Sequence, residues 1–136
     1  TAFGCYNGHV GLKLAVAVIQ CKGNGLGAVI LGQRHVVQGH VDGVGIITEL
    51  GGPSHDTRMT IEPPAGLARY IVEKGFIAVD GTSLTVVDCG GPCFSVTIIP
   101  YTRENTVMKT LKVGDSVNLE ADIMAKYVER LSASGR

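Results

Sequence analysis

The chain has 136 residues, of which 45% are hydrophobic, so its size and apolar content fit one folded domain and exclude a disordered chain. Its 12 basic and 12 acidic residues balance, which argues against the positive field typical of proteins that bind nucleic acid or an anionic membrane. Trp is absent and aromatic residues make up only 5%, which argues against a stacking platform for single strands. A small-molecule ligand is therefore expected.

Cellular location is indicated by the cysteines and by the first residues. No charged segment followed by an apolar segment opens the chain, and its longest apolar stretch, residues 12–31, is broken by lysines and glycines. The cysteines are too few and too uneven for a disulfide framework: Cys5, Cys21, Cys89 and Cys93. A reduced, cytoplasmic setting is expected. The first residue is Thr1, not Met, which fits a processed or partial product.

Residues 1–30 form a separate glycine-rich N-terminal segment that carries no acidic residue and is left without a fold. Within it, Gly23 to Ala28 (GNGLGA) fits a relaxed dinucleotide-binding fingerprint, GxGxxA. The preceding apolar run does not lead directly into the first glycine, and nothing downstream resembles a βαβ unit. A glycine-rich turn or a disordered lead-in is therefore favoured over nucleotide binding.

Residues 31–136 read as an all-β domain. Period-two alternation of β-branched residues between turn signals predicts strands at about 36–50, 57–62, 76–80, 83–89, 93–99 and 116–123. The intervening segments GGPSHD, DGTS, CGGP and KVGD supply the residues that tight turns need. Six short strands at this spacing predict a small closed barrel or a sandwich.

Two helices are predicted within this domain. Residues 65–73 (AGLARYIVE) follow Pro63-Pro64 and would plug one end of a barrel. Residues 123–131 place Ile123, Tyr127 and Leu131 on one side, as an amphipathic C-terminal helix does. An amphipathic helix outside a closed barrel is expected to pack on another subunit.

The stretch VVQGHVDGVG (36–45) carries a histidine and an aspartate in a run that otherwise resembles a strand. On a strand His40 and Asp42 would face the same side and His35 the other, so a metal site would need further ligands. No metal is predicted. Glycines weaken a strand, so Gly39 and its neighbours would let a flat ligand or another backbone lie close. From this stretch alone, a kinked edge strand with solvated side chains remains equally acceptable.

A second polar feature is the segment DGTSLT (80–85). Ser83 and Thr85 would point to one side of a strand and offer hydroxyl groups to a polyol or the edge of a heterocycle. The polar cluster that follows Pro100 is open between a ligand site and a helix N-terminus capped by Thr102 or Asn105. The CGGPC segment is interpreted as an ordinary hairpin turn, not a redox or metal pair.

Four blocks, GHVDG, KGFIAVDGTSLTV, IIPYTRENT and VNLEADIMAKYVERL, resemble in order and spacing the C-terminal half of riboflavin synthase, over about residues 35–131. The resemblance implies a six-stranded antiparallel Greek-key barrel with short helices that binds one 6,7-dimethyl-8-ribityllumazine. In the family, two lumazines meet between barrels of neighbouring subunits of a trimer. A four-carbon unit then passes between them, giving riboflavin and 5-amino-6-ribitylamino-pyrimidinedione. No cofactor is implied.

The resemblance also assigns residues. His40 and Thr85 would line the reacting end, and Asp122 corresponds to an acidic residue implicated in activity. Lys74, Ser83 and Thr102 would hold the pyrimidine edge or the ribityl chain. The full set of implied ligand contacts is Gly39, His40, Val41, Lys74, Ser83, Leu84, Thr85, Ile98, Ile99, Pro100, Tyr101, Thr102 and Arg103.

The sequence departs from the family in two places. Residues 1–30 match no first barrel, and Arg34 stands where the family usually has glycine. A single barrel could bind lumazine, and two copies of the chain could pair their sites. The alternative to an enzyme is a non-catalytic lumazine or flavin carrier.

Overall fold

The computed structural model describes residues 36–52 and 56–133. The glycine-rich segment 1–30, its GNGLGA motif and His35 lie outside these residues, so the predictions made for them stay predictions.

Six antiparallel strands close into a barrel in the order β1-β2-β5-β4-β3-β6. Three strands joined in sequence, β3, β4 and β5, lie side by side with β2 next to β5, which is a Greek-key arrangement. This confirms the predicted all-β barrel and decides it against a sandwich. The strands are β1 (Gly43–Gly51), β2 (Thr57–Glu62), β3 (Phe76–Val79), β4 (Thr82–Asp88), β5 (Phe94–Ile98) and β6 (Ser116–Ala121).

The barrel interior is filled by alternate residues of each strand, as a half-buried sheet requires. On β3, Ile77 and Val79 point inward and are fully buried, and on β6 Val117 and Leu119 do the same. The β3–β4 turn is formed by Asp80 and Gly81, whose φ values of 44° and 79° match the two-residue turn that DG favours. Alternation along the sequence therefore locates the core correctly.

The predicted first strand is wrong at its start, because β1 begins at Gly43 and not near residue 36. Gly39 has φ 76°, which breaks an extended chain, and the N–H groups before His40 bond a side chain rather than a strand. The last strand ends at Ala121, earlier than predicted, because Asp122 caps the following helix: its Oδ1 accepts from Met124 N at 3.0 Å. Other strand ends agree within about two residues.

The predicted helix over 65–73 is also wrong. The structure has a turn followed by one 3-10 turn, Ala68–Tyr70, closed by i to i+3 hydrogen bonds such as Tyr70 N to Leu67 O at 3.0 Å. Ile71 is extended at φ −94° and ψ 117°, which ends the helical turns. Leu67 and Ile71 are buried in the core, so the segment does close one end of the barrel.

Two α-helices lie outside the barrel, α1 (Pro100–Asn105) and α2 (Ile123–Ala133). A 3-10 turn, Val107–Thr110, follows α1, with the Thr106 hydroxyl accepting from Met108 N at 3.2 Å. Of the two alternatives left open for the cluster after Pro100, the helix N-terminus capped by Thr102 or Asn105 is not found, since α1 begins earlier, at Pro100, without a side-chain cap. Proline suits this first position because it has no N–H to satisfy.

Helix α2 presents its polar side to the barrel. Lys126 forms an ion pair with Asp42, and Glu129 accepts from the Tyr70 hydroxyl and lies 3.0 Å from Arg69. Four of its large apolar side chains are 57–74% exposed: Met124, Tyr127, Val128 and Leu131. In the part of the chain that the structure describes, no helix is long and apolar enough to cross a membrane.

Candidate functional site

The outer face of three adjacent strands brings the predicted polar blocks together. Ala78 on β3 pairs with Ser83 on β4 and with Glu120 on β6. These three residues alternate with core residues, so they lie on the outside of the barrel. Neighbouring strands are about 4.8 Å apart, which places Ser83 and Glu120 roughly 10 Å from each other across Ala78.

A second row runs parallel to the first. Phe76 pairs with Thr85, and Ile77 pairs with Ala121, so Asp122 follows β6 on the side of Phe76. Thr85 is exposed and Ser83 is half-buried. The predicted wall of alternating hydroxyl groups therefore exists, on the outer face and not in the interior.

The segment before β1 covers one edge of this face. Gln38 N and Gly39 N donate to the two carboxylate oxygens of Glu120, at 2.6 and 2.9 Å. Asp42 N donates to Leu119 O at 2.8 Å, so the chain runs alongside β6 from this point onward. His40, between these two anchors, is exposed beside the β6 edge.

On a regular strand, Asp42 and His40 would face the same side. In the structure the Asp42 carboxylate does not share a pocket with His40. Its Oδ2 accepts from Ala121 N at 2.9 Å, and its Oδ1 pairs with Lys126 of α2. The Asp42 carboxylate therefore ties the His40 segment to β6 and α2. Nothing in these contacts assigns it to a ligand.

Gly39 and Gly45 require glycine for two different structural reasons. A Cβ on Gly45 would lie 2.7 Å from Ile61 Cγ2 and 2.8 Å from Leu119 Cδ1, so this glycine admits core side chains. At Gly39 no described atom lies within 4 Å of a Cβ position, and the requirement is the φ of 76°. The space beside Gly39 is therefore open to a ligand, while Gly45 serves packing.

The opposite edge of the face is formed by the end of β5 and by α1, because β5 lies antiparallel beside β4. Ile99 and Tyr101 are 54% and 72% exposed there. Arg103 Nη1 donates to Thr57 Oγ1 at 2.9 Å and so fixes α1 to β2. Thr102 is half-buried, and its carbonyl accepts from the Thr106 hydroxyl.

Two implied contact residues point away from this face. The Leu84 and Ile98 side chains are 7% and 1% exposed within the core cluster. A ligand on the outer face could reach them only through main-chain atoms. The exposed positions are residues next to them in the sequence, such as Thr85 beside Leu84 and Ile99 beside Ile98.

Lys74 lies just before β3, with its N–H donating to Val86 O at 2.9 Å. Its φ of 64° is in the left-handed region, which costs a non-glycine residue roughly 1–2 kcal/mol. Such strained residues cluster at functional sites. The exposed Lys74 side chain stands near the Thr85 end of the face.

Glu120 is a candidate site residue that the sequence did not indicate, and it is 6% exposed although it points out of the barrel. No local signal in the sequence identifies Glu120, because its carboxylate is covered by the distant segment before β1, whose Gln38 and Gly39 N–H groups donate to it. Asp122, which the resemblance assigned to activity, is a helix cap at its Oδ1. Within residues 36–52 and 56–133, no three His, Cys, Asp or Glu side chains could hold a metal ion.

Comparisons with known proteins agree with this geometry. Residues 38–122 match the family model of the lumazine binding domain. Riboflavin synthase of Mycobacterium tuberculosis is 50% identical over 113 residues, covering 79% of this chain and 56% of that protein. Riboflavin synthase of Actinobacillus pleuropneumoniae is 47% identical over 96 residues, covering 71% of this chain and 45% of that protein. The chain thus spans about half the length of the curated relatives it matches.

Solved structures give the same picture. The crystal structure of LumP complexed with 6,7-dimethyl-8-(1'-D-ribityl) lumazine superposes with a TM-score of 0.59 at 30% identity, covering 63% of this chain and 48% of that one. LumP complexed with riboflavin superposes with a TM-score of 0.55 at 32% identity, covering 60% and 44%.

Proposed function

Because this chain belongs to the lumazine binding domain family, we propose that it is a ribityllumazine-binding barrel of a riboflavin synthase. The observation that carries the proposal is the 41–50% identity to riboflavin synthases of several bacteria over 96 to 113 residues. The proposed reaction is the dismutation of two 6,7-dimethyl-8-ribityllumazine molecules by four-carbon transfer. Its products are riboflavin and 5-amino-6-ribitylamino-pyrimidinedione.

The proposed ligand lies on the outer face of β4, β3 and β6, between the segment 39–41 and the segment 98–103. The hydroxyls of Ser83 and Thr85 suit the polar edge of a heterocycle or a ribityl chain. Lys74 adds a cation that can donate hydrogen bonds at one end of the face.

The proposed reaction requires no covalent bond between the protein and the substrate. The electron-poor lumazine ring acidifies its own 7-methyl group and can itself accept a nucleophile. The site must align two rings and move protons, which is catalysis by proximity and by general acids and bases. His40, exposed at the edge of the face, is the proposed proton-transfer group, and Thr85 and Asp122 are proposed to act with it.

Two ligands require two barrels, so we propose that the active unit contains more than one barrel. The exposed apolar side of α2 supports self-association of the chain, because its polar side is already committed to its own barrel. A trimer is the assembly that the family implies. The half-buried free thiols Cys89 and Cys93 further fit the proposed cytoplasmic location.

The test is to mix the purified chain with ribityllumazine and to follow both ligand fluorescence and riboflavin formation by chromatography. Formation of riboflavin and the pyrimidinedione in equal amounts is expected. A fluorescence change without riboflavin would contradict the enzymatic proposal for this chain. No change in either signal would contradict ligand binding itself.

The alternative is a non-catalytic lumazine or flavin carrier. It is favoured by the structural similarity to LumP, whose structures hold ribityllumazine and riboflavin. A carrier would bind both ligands tightly and leave ribityllumazine unchanged over hours, whereas an enzyme would consume it.

A further inference from the structure

Glu120 is a buried carboxylate on the outside of the barrel. It is 6% exposed, it pairs with Ala78 in the β3–β6 ladder, and its side chain points away from the core. None of the ion pairs found among the described residues includes Glu120. A buried carboxylate is costly unless hydrogen bonds compensate its lost hydration, so its partners identify its role.

Those partners are two consecutive main-chain N–H groups. Gln38 N donates to Oε1 at 2.6 Å and Gly39 N donates to Oε2 at 2.9 Å. Consecutive N–H groups that converge on one anion form a backbone nest, and the φ of 76° at Gly39 is the turn that this arrangement contains. Each carboxylate oxygen is used once, and hydrogen bonds to a charged acceptor are stronger than neutral ones.

The nest fixes the residue that follows it. His40 is attached directly to Gly39, and its own side chain is exposed, with no hydrogen bond or ion pair to another residue within 36–52 and 56–133. Glu120 on one side and the Asp42 contacts with β6 on the other therefore determine where the His40 main chain lies.

We propose that Glu120 is a positioning residue that sets the place of His40 relative to the bound ring, an inference that rests on the proposed function. It does so by anchoring the main chain of Gln38 and Gly39, without touching the substrate. The same row carries Ser83, so the β3–β4 and β3–β6 pairings that meet at Ala78 hold Ser83 and the anchor of the histidine in a common frame.

Glutamate can accept from both main-chain N–H groups at this distance, whereas glutamine and aspartate cannot do so equally well. In Glu120→Gln, one oxygen becomes an NH2 group that faces a main-chain N–H, so one hydrogen bond is lost and two donors oppose each other. Glu120→Asp keeps both oxygens but is one methylene shorter. Glu120→Asp should therefore keep the negative charge but leave the carboxylate too far from the Gln38 and Gly39 N–H groups.

The first measurement reports on the anchor alone. In ¹H–¹⁵N spectra, the amide protons of Gln38 and Gly39 should resonate downfield and move upfield in Glu120→Gln. The matched control is Glu62→Gln, an exposed carboxylate on β2 with no role in the face, which should leave both signals in place. Unchanged amide shifts in Glu120→Gln would overturn the anchoring itself.

The second measurement reports on catalysis at one ligand: deuterium exchange of the ribityllumazine 7-methyl protons. Glu120→Gln should slow exchange by roughly 10- to 100-fold, the scale of a small misplacement, while the Kd for ribityllumazine changes little. In the His40→Ala background the same substitution should have almost no further effect, because the two residues act as one unit.

The outcomes separate the two proposals. If the unmodified chain neither binds ribityllumazine nor exchanges its methyl protons, the proposed function is wrong, while the amide shifts still decide the anchor. If the unmodified chain exchanges and Glu120→Gln matches Glu62→Gln, the positioning role is wrong. Full additivity with His40→Ala, or equal losses in binding and exchange, would also overturn it.

Discussion

Asp42 and Lys126 join the two ends of the described chain: the aspartate follows the exposed histidine by two residues, and the lysine lies on α2. The other Asp42 oxygen accepts from Ala121 N at 2.9 Å. The helix that carries the exposed apolar side is therefore tied to the segment that carries His40. A substitution that displaces α2 is therefore expected to displace the segment that carries His40 as well.

A double-mutant cycle on this pair tests its strength. The Asp42 and Lys126 side chains are 21% and 31% exposed. A second ion pair, between Arg58 and Asp88 at 3.4 Å, is more open to solvent, with side chains 52% and 64% exposed. We expect the Asp42–Lys126 coupling energy, measured by urea unfolding, to exceed the upper limit of about 1 kcal/mol for exposed pairs. The Arg58–Asp88 cycle is the control and should give less than that. Equal couplings would contradict the argument from burial.

His40→Ala should keep the fold and lose activity. If His40 transfers a proton, the rate of 7-methyl exchange and of riboflavin formation should fall by roughly 10²–10⁴-fold. His55, outside the described residues, offers a same-type control, and His55→Ala should change these rates little. Equal losses in both variants would remove His40 from the mechanism.

Gly45→Ala should destabilise the barrel. The added methyl would lie 2.7 Å from Ile61 Cγ2 and 3.0 Å from Glu62 O, and overpacking of a core typically costs about 1–3 kcal/mol. At Gly51 a Cβ would meet nothing within 4 Å, so Gly51→Ala should stay within about 0.5 kcal/mol of the parent. Chemical unfolding of both variants decides, and similar losses would show that the contact does not govern the effect.

Lys74→Gly should separate stability from binding. Glycine adopts the φ of 64° without the cost of roughly 1–2 kcal/mol, so this variant should be no less stable than the parent in thermal unfolding. Its affinity for ribityllumazine should nevertheless fall, because a proposed ligand contact is lost. Lys112→Gly, at an exposed lysine without positive φ, should lose stability slightly and keep its affinity. The reverse pattern would refute a ligand role for Lys74.

Charging the apolar side of α2 should disrupt self-association. Val128 and Leu131 are 60% and 74% exposed, so the double substitution Val128→Glu and Leu131→Glu should leave the barrel folded and lower the mass measured by light scattering. Lys109→Glu, an exposed change in the turn after α1, is the control and should preserve the mass. A variant mass equal to that of the parent would contradict assembly through this helix.

The sequence alone determined the barrel. Alternation of apolar residues along short strands is imposed by the geometry of a half-buried sheet, so Ile77, Val79, Val117 and Leu119 could be assigned to the core without a structure. The same period placed Ser83 and Thr85 on one side of a strand. The hydroxyl groups alone indicated a polyol or the edge of a heterocycle, and the blocks that resemble riboflavin synthase narrowed the expected ligand to ribityllumazine.

Only the tertiary structure decided how the stretch VVQGHVDGVG is used. A period-two pattern predicted one long strand, but its first half is held by the Glu120 carboxylate, a partner 81 or 82 residues away that no local pattern reveals. Asp42 looked like a companion of His40 and is instead an anchor for α2. Side-chain to main-chain bonds between distant segments depend on strand pairing in three dimensions, and for that reason local sequence periodicity could not supply them.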